Sequence, residues 1–329
     1  MKNIYLILGI FIMLFSACET DFDVNAEWEE TTVVFGLLDA SDENQLQKIK
    51  ISKAFLGNMD AYQMAQYSDS INYGVDELDV KIYKWNYNQI EDSVELIPMP
   101  TYRDGEIFYD SIIVYQFYNL NSFLQKGYEY ELVVKNNMTG NLVSSRTEIV
   151  AGFDFDNIFI TKSKSFQFGL YTNNDFSSST ITWDDSNDNG TIYQLDLIFH
   201  YTEIMDGVYT EDSLIYSLPL IDDTESKMKI EGNSFFNFLA LNLDKNQSVI
   251  RYFNDIDMIM TVGSEDLETY INVNKPITGI VQERPQFTNI NNGIGLFSSR
   301  FKKIRFDYDL TSSTLDYLKS VDGLDRNFQ

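Results

Sequence analysis

The sequence contains few of the side chains that most catalytic mechanisms and metal sites use. Only one cysteine and one histidine occur in 329 residues. A disulfide within the chain is therefore excluded, and a serine triad would have to use His200. No G-x-S-x-G segment, the turn that presents the serine of α/β-hydrolases, occurs in the sequence. We therefore expect no catalytic residues, and we interpret His200 as an exposed structural histidine on the polar face of its strand.

Basic residues are scarce as well. The chain has 24 Lys and Arg residues against 50 Asp and Glu residues, which gives a formal net charge of −26. Nucleic-acid binding depends on Lys and Arg to displace the counterions of the phosphate backbone, so we exclude nucleic acid as a partner. An acidic surface is not attracted to anionic lipid either. An attachment to a membrane would therefore need a covalently bound lipid.

The chain is also poor in proline. It has five prolines, while 15% of its residues are aromatic. Disordered segments contain few aromatic residues, so this composition is that of a folded protein. At roughly 100 to 200 residues per domain, the length predicts two domains.

Long apolar runs are absent except near the N-terminus. Residues 4–15 are apolar apart from Gly9, and they follow Lys2 and precede the small pair Ser16–Ala17. A membrane-spanning helix needs about 20 apolar residues. A positive charge, a short apolar run and small residues in this order are instead typical of a secretory signal peptide. We predict that residues 1–17 are a signal peptide.

The single cysteine follows this segment directly. The letters FSAC that end at Cys18 resemble a bacterial lipobox, in which the cysteine is diacylated through its sulfur and becomes the new N-terminus. The alternative is an ordinary signal peptide with a chance cysteine. Two or three acyl chains, at ~0.8 kcal/mol per buried methylene, would anchor a protein durably. We predict lipidation of Cys18, a tether over residues 18–28 and an outer-membrane location, facing the periplasm or the cell surface. The acidic residues Glu19, Asp21 and Asp23 resemble the export tags of surface lipoproteins in Bacteroidota.

Alternating apolar and polar residues predict β-strands along most of the remaining chain. Residues 29–150 are predicted to form a first antiparallel β-sandwich domain, similar to a fibronectin type III domain. Its strands are expected at 31–38, 45–55, 78–85, 92–99, 106–117 and 128–136.

A second sandwich-like domain is predicted for residues 151–329. Trp183 and Tyr193 flank a polar turn, similar to the Trp and Tyr that pack the core of fibronectin- and immunoglobulin-like sandwiches. Residues 230–246 fit either a strand pair or a short helix, and residues 313–320 predict a terminal helix. The predicted fold class is therefore all-β, with two immunoglobulin- or fibronectin-III-like antiparallel sandwiches and a few short helices.

One calcium site is predicted, and no other cofactor. The segment 184–196 contains Asp185, Asn187, Asn189 and Gly190 in the order of a D-x-N-x-N-G calcium loop, with Asp196 where the closing carboxylate usually stands. The same Asn-Gly pair is a common hairpin turn, which is the alternative.

Four Asp-Ser-apolar triplets resemble the O-glycosylation acceptor pattern of exported Bacteroidota proteins. Their acceptors would be Ser70, Ser93, Ser111 and Ser213. Asp-Ser also begins turns, so a turn is the alternative explanation at each position.

Two stretches, residues 31–57 and 286–300, resemble a family of Bacteroidota outer-membrane lipoproteins of unknown function. The resemblance implies an envelope lipoprotein with β-sandwich domains, often associated with TonB-dependent receptor systems, and it implies no catalytic residues. The Asn- and Gly-rich segment 286–300 is expected either to close the second domain or to bind a partner. As a partner loop it would use Asn289, Asn291, Asn292 and Phe297.

Together these features predict a non-catalytic accessory lipoprotein. It would be held in the membrane by its lipid and would bind a TonB-dependent receptor, another envelope protein or an extracellular ligand. The alternative is an envelope glycan hydrolase that uses paired carboxylates in a cleft between the two domains.

Overall fold

The computed structural model describes residues 31–54, 71–102, 111–150, 152–155, 164–169, 175–184, 189–222, 226–276 and 286–329. The predicted signal peptide, the tether and Cys18 lie outside these ranges. Within them, no helix combines the length and the apolar character that crossing a membrane requires.

Sixteen strands, three α-helices and one 3₁₀-helix (Leu120–Ser122) occur in the described parts of the chain. The strands are β1 (Thr31–Asp39), β2 (Leu46–Ala54), β3 (Leu78–Asn86), β4 (Gln89–Glu95), β5 (Ile97–Tyr102), β6 (Ser111–Tyr118), β7 (Glu129–Asn136), β8 (Leu142–Glu148), β9 (Ser165–Phe166), β10 (Ser178–Thr182), β11 (Ile192–Met205), β12 (Val208–Ser217), β13 (Ile221–Asp222), β14 (Lys227–Glu231), β15 (Ile250–Gly263) and β16 (Gly293–Leu310). The helices are α1 (Gly232–Asn242), α2 (Glu265–Asn274) and α3 (Ser312–Lys319).

A ten-stranded main sheet runs through the described structure. Its order is β12-β11-β15-β16-β1-β2-β6-β5, with β13 beside β11 and β9 beside β16. Strands β4-β3-β7-β8 form a second sheet, and β10 and β14 form a third. Neighbours are antiparallel except for β1 with β16 and β9 with β16, which are parallel. Parallel neighbours cannot be joined by a tight hairpin, and β1 and β16 indeed come from opposite ends of the described chain.

Two hydrophobic clusters lie on the same face of the main sheet. The first fills the space between the main sheet and the four-stranded sheet, with Ile49 and Ile82 from the two sides. The second lies between the main sheet and an opposing layer that includes α1, with Leu197 and Phe235 from the two sides. Strand β16 contributes Phe297 to the first cluster and Phe301 to the edge of the second. Because residues four apart on a regular strand point to the same face, both cores occupy one face.

The all-β, sandwich-like fold class is confirmed. The predicted alternation is clearest in β11, where alternate residues from Tyr193 to Tyr201 are buried in the second cluster. The predicted neighbours Trp183 and Tyr193 stack with ring centroids 5.0 Å apart. The ambiguous segment 230–246 forms the helix α1, and a terminal helix is present as α3.

The single strand predicted at 92–99 is instead two strands in different sheets. Strand β4 pairs with β3, whereas β5 pairs with β6 of the main sheet. Between them, the buried Leu96 donates its N–H to the carbonyl oxygen of Val80 at 2.9 Å. The chain therefore changes sheets at Leu96, which keeps its apolar side chain in the first core.

The boundary between residues 150 and 151 stays a prediction, but the structure shows how the two parts are joined. The first core also takes Ile290 and Phe297 from the C-terminal part of the chain. At the junction, the Ser299 hydroxyl accepts a hydrogen bond from the N–H of Val150 (2.9 Å) and donates one to the carbonyl oxygen of Glu148 (2.6 Å). Both cores therefore share one continuous sheet.

Candidate functional site on the outer face of the main sheet

The outer face of the main sheet, opposite the two cores, carries the two candidate sites. Helix α2 covers part of this face: Ser264, just before the helix, hydrogen-bonds Ser298 of β16 across 2.5 Å. Tyr270 of α2 packs edge-on against Phe35 of β1, with ring centroids 5.9 Å apart. Farther along β16, Ile304 and Phe306 on the same face are exposed.

A groove of about 500 Å³ lies beside α2, and we call it the junction groove. Phe35 is 40% exposed although it sits in the interior of the sheet. The groove is lined by Phe35, Gly36, Leu37, Asp39, Gln45, Leu46, Gln47, Lys48, Leu267, Tyr270, Ile271, Leu296 and Arg300. It thus combines apolar and aromatic walls with a few polar groups, which is the composition of many ligand sites.

The polar part of the junction groove is an ion pair between Asp39 and Arg300. The Arg300 Nε donates to Asp39 Oδ2 at 2.9 Å, and the Asp39 side chain is 3% exposed. The side chain of Gln47 holds the backbone of Asp39 through two hydrogen bonds of 2.9 Å. The terminal amino groups of Arg300 make no hydrogen bond to a described residue. The groove therefore offers donors that are held in place by a buried carboxylate.

The second candidate site is a group of three side chains that we call the outer-face cluster: His200 on β11, and Asp255 and Asp257 on β15. His200 is paired with Asp255 across the two strands. Its Nε2 lies 3.1 Å from Asp257 Oδ2, and one ligand atom from each residue lies within 4.8 Å of the others. The side chains of His200 and Asp257 are 32% and 17% exposed. The three groups are thus half-buried on an open sheet face.

Two β-bulges flank the outer-face cluster. The pairing of β11 with β15 shifts after His200, and the pairing of β15 with β16 shifts between Ile256 and Met258. In the second bulge Asp307 has a φ of +61°, and its N–H donates to Asp257 Oδ1 at 3.3 Å. Bulges re-aim side chains locally, and here they surround the three groups.

The carboxyl group of Asp255 has a perturbed pKa. Burial is the largest cause and raises the pKa above its ordinary value, and the charge of His200 acts in the opposite direction. The charges of Asp257 and Asp307 raise the pKa of Asp255 further. Crowding of like charges in a partly desolvated place thus disfavours the ionised form of Asp255. One nitrogen and two carboxylates in this arrangement could hold a cation or exchange a proton.

The predicted calcium loop is only partly described. Asp185 and Asn187 lie outside the described residues. The Asn189 side chain reaches the carbonyl oxygen of Ile149 at 3.5 Å, and Asp196 lies within β11, where one of its carboxylate oxygens is buried without a hydrogen-bond partner among the described residues. Among the described residues, Asn189 and Asp196 are not joined by a hydrogen bond. The calcium site stays a prediction.

Two of the four predicted glycosylation serines have the same local structure. Ser93 on β4 and Ser213 on β12 are exposed. Each of these strands is the first in the strand order of its sheet given above. Each backbone N–H donates to the carboxylate of the preceding aspartate at 2.7 Å. Ser111 begins β6, and the side chain of Ser111 and all of Ser70 lie outside the described parts of the structure. Their modification stays a prediction.

The structure does not gather the four predicted partner-loop residues on one surface. Phe297 is buried in the first core, and its N–H donates to the side-chain oxygen of Asn289 at 3.0 Å. The Asn289 amide nitrogen also donates to Asp266 at 2.8 Å and to the carbonyl oxygen of Phe297 at 2.7 Å. Asn291 and Asn292 are exposed. Asn289 and Phe297 are therefore committed to internal contacts.

The segment 286–300 also closes a different part of the structure from the one expected. Asn291 forms a two-hydrogen-bond bridge with Ser144 of β8, and the Asn292 side chain donates to the carbonyl oxygen of Leu142 at 3.1 Å. Its apolar residues Ile290 and Phe297 enter the first core. The segment thus packs against the first half of the chain, because β16 begins beside β1.

Comparison with known proteins adds no family. No protein-family model matches the chain, and no curated protein matches it. The outer-membrane lipoprotein family, the lipid anchor and the receptor partner therefore stay predictions.

Sequence reasoning missed Asp255 and Asp257. A local signal was present, because alternate acidic residues in a strand point to the same face. This signal does not show which strand lies beside β15, because His200 is 57 positions from Asp257 along the chain. The main residues of the junction groove were missed for the same reason, since β1, β2, β16 and α2 meet only in the folded sheet.

Proposed function

We propose that the protein is a non-catalytic binding protein of the cell envelope, anchored by a lipid on Cys18, and that the junction groove is its binding site. Its ligand would be a segment of another envelope protein, such as a TonB-dependent receptor, or an extracellular molecule. The observation that carries the proposal is the groove itself, in which exposed aromatic and aliphatic side chains surround an ion pair at the centre of the main sheet.

The walls of the groove provide the main attraction. Phe35, Tyr270 and the neighbouring aliphatic residues keep apolar surface in contact with water. Covering such surface gains roughly 25 cal/mol per Å², and aromatic residues at the centre of an interface often contribute most of the binding energy. We therefore expect the ligand to insert an apolar group between β1 and α2.

The ion pair would determine orientation. Asp39 fixes the guanidinium of Arg300 through Nε, and the two terminal amino groups of that side chain can donate to a carboxylate or carbonyl oxygen of the ligand. Planar guanidinium donors give directional hydrogen bonds. A ligand with an apolar group next to a hydrogen-bond acceptor fits this surface best.

The proposal can be tested by capture from lightly crosslinked intact cells. Full-length wild-type protein is compared with Tyr270→Asp, which places a charge in the groove, and with Tyr87→Asp, which changes a side chain that is 91% exposed outside the groove. We expect a specific component that is recovered with wild type and Tyr87→Asp and lost with Tyr270→Asp. Equal recovery with all three proteins would contradict a role for the groove.

The anchor requires a separate comparison. Cys18→Ala should release the protein from the membrane fraction and reduce recovery of a membrane partner. Retention of Cys18→Ala in the membrane fraction, with unchanged electrophoretic mobility, would contradict the predicted lipid anchor.

One observation favours the alternative, a glycan hydrolase. The carboxylates of Asp255 and Asp257 are close together, and the pKa of Asp255 is raised, as expected of a general acid in a carboxylate pair. These residues lie on an exposed sheet face, whereas a hydrolase needs a cleft that surrounds the substrate. Hydrolysis of envelope polysaccharides that is abolished in Asp257→Asn would establish this alternative.

A further inference from the structure

We propose that the outer-face cluster of His200, Asp255 and Asp257 binds a first-row divalent metal ion of the zinc type. The site is separate from the junction groove and does not depend on the proposed binding function. Its three side chains offer one imidazole nitrogen and two carboxylate oxygens, which are ligands that Zn²⁺ uses in proteins.

The distances between the ligand atoms of the outer-face cluster are close to those in a zinc site. In a tetrahedral zinc site, bonds of 2.0 to 2.1 Å place ligand atoms about 3.3 Å from one another. His200 Nε2 and Asp257 Oδ2 are already 3.1 Å apart, and no pair among the three chosen ligand atoms is separated by more than 4.8 Å. Small side-chain rotations would bring the third ligand into place, and water would complete the coordination.

The local charge favours a cation. Among the described residues, no lysine or arginine forms an ion pair with Asp255 or Asp257. The carboxylate of Asp255 has no hydrogen bond to a described residue, and Asp307 adds a further negative charge nearby. Two half-buried carboxylates without a lysine or arginine partner repel each other. A divalent ion would supply the missing positive charge.

The backbone holds the three ligands in a defined arrangement. His200 and Asp255 are directly paired on neighbouring strands inside the main sheet, and Asp257 lies two residues farther along the same strand. The N–H of Asp307 donates to Asp257 Oδ1, which leaves Oδ2 directed toward His200. Ligands on paired strands are better positioned than ligands on loops, and the hydrogen bond from Asp307 orients one of them.

The nitrogen ligand distinguishes this site from the predicted calcium loop. Calcium takes six to eight oxygen ligands, whereas imidazole suits zinc, copper, iron and nickel. We therefore expect Zn²⁺ to bind at His200 and excess Ca²⁺ not to compete for it.

The lone histidine allows a direct test. His200 is the only histidine in the sequence, so selective ¹³C-labelling of histidine gives ring signals that need no further assignment. The experiment uses the full-length lipidated protein in detergent with a histidine-free tag, titrated with ZnCl₂ and, separately, with CaCl₂. Zinc binding is also measured by calorimetry.

We expect one zinc ion per chain, a shift of the His200 ring signals that saturates at that ratio, and no such shift with calcium. Asp257→Asn and Asp255→Asn should each weaken zinc binding at least about tenfold, since even changes next to metal ligands cost ten- to a hundredfold. Glu211→Gln, which alters an exposed acidic residue on the neighbouring strand β12, should bind zinc like wild type. Circular dichroism confirms that each variant is folded.

Three results would overturn the proposal. If the His200 signals stay unchanged at saturating zinc, the cluster is not a zinc site. If Glu211→Gln weakens binding as much as Asp257→Asn, or if calcium produces the same shift, the ion is attracted only by general negative charge.

Discussion

Two buried tyrosines of the first core should respond in opposite ways to the same substitution. Tyr115 and Tyr130 are both fully buried in the first core. The Tyr130 hydroxyl donates to the carbonyl oxygen of Phe123 at 2.6 Å and accepts from the N–H of Gln125 at 2.8 Å. The Tyr115 hydroxyl is buried without a hydrogen-bond partner among the described residues. Tyr130→Phe should therefore destabilise the protein, and Tyr115→Phe should not.

The expected magnitudes follow from the groups that each change leaves behind. Removing the Tyr130 hydroxyl leaves a buried carbonyl oxygen and a partly buried N–H without their partner, which costs about 2 to 4 kcal/mol in the free energy of unfolding. Removing the Tyr115 hydroxyl removes a buried polar group that has no hydrogen-bond partner in the part of the chain that the structure describes. The free energy of unfolding should then be unchanged or rise by about 1 kcal/mol.

Urea denaturation followed by circular dichroism measures both changes on the same scale. The two variants make the same chemical change in the same core, so each is the control for the other. A loss of more than about 1 kcal/mol in Tyr115→Phe, or no loss in Tyr130→Phe, would refute the assignment of hydrogen bonds on which the argument depends.

Three further predictions concern stability. Burial raises the pKa of Tyr115 to about 12, so between pH 10 and 12 this tyrosine ionises in the unfolded state before it ionises in the folded state, and the free energy of unfolding falls. Tyr115→Phe should therefore lose less stability than wild type over that pH interval, as measured by urea denaturation. Gly295 has a φ of +118°, and an added Cβ would lie 2.0 Å from the carbonyl oxygen of Val34. Gly295→Ala should therefore lower the free energy of unfolding by at least about 3 kcal/mol. If the variant melted at the wild-type temperature, that result would contradict the β1–β16 pairing. The Arg251 side chain is 3% exposed and pairs with Glu203 at 2.8 Å. Arg251→Gln should lower the free energy of unfolding, measured by thermal denaturation, by about 3 to 5 kcal/mol. A decrease of less than about 1 kcal/mol would show that the pair contributes little to stability.

Local sequence patterns predicted the strands well because each strand has one buried face. The alternation from Tyr193 to Tyr201 determines which side of β11 enters the core, and the structure agrees. Such a pattern shows that a strand exists and which face is buried, but it does not identify the neighbouring strand. The parallel pairing of β1 with β16 therefore could not be predicted from either segment alone.

The same limit explains the missed sites. His200 was correctly placed on the polar face of β11, but its contact with Asp257 depends on the pairing of β11 with β15 and on a bulge next to it. The junction groove needs Phe35 from β1 and Tyr270 from α2, which the main sheet brings together. Leu96 shows a related limit, because a change of sheet within a continuous extended segment leaves the period-2 pattern almost unaltered.

Photo-crosslinking inside living cells tests the central claim, ligand binding in the junction groove, most directly. A photoreactive phenylalanine analogue is placed at position 270 in the groove or, as the control, at position 87 outside it, in the full-length lipoprotein. We predict a discrete adduct from position 270 that is absent from position 87 and that disappears when Leu267→Asp is added to alter the groove. Identical adducts from both positions, or none from position 270 while other exposed positions yield a specific adduct, would contradict the account.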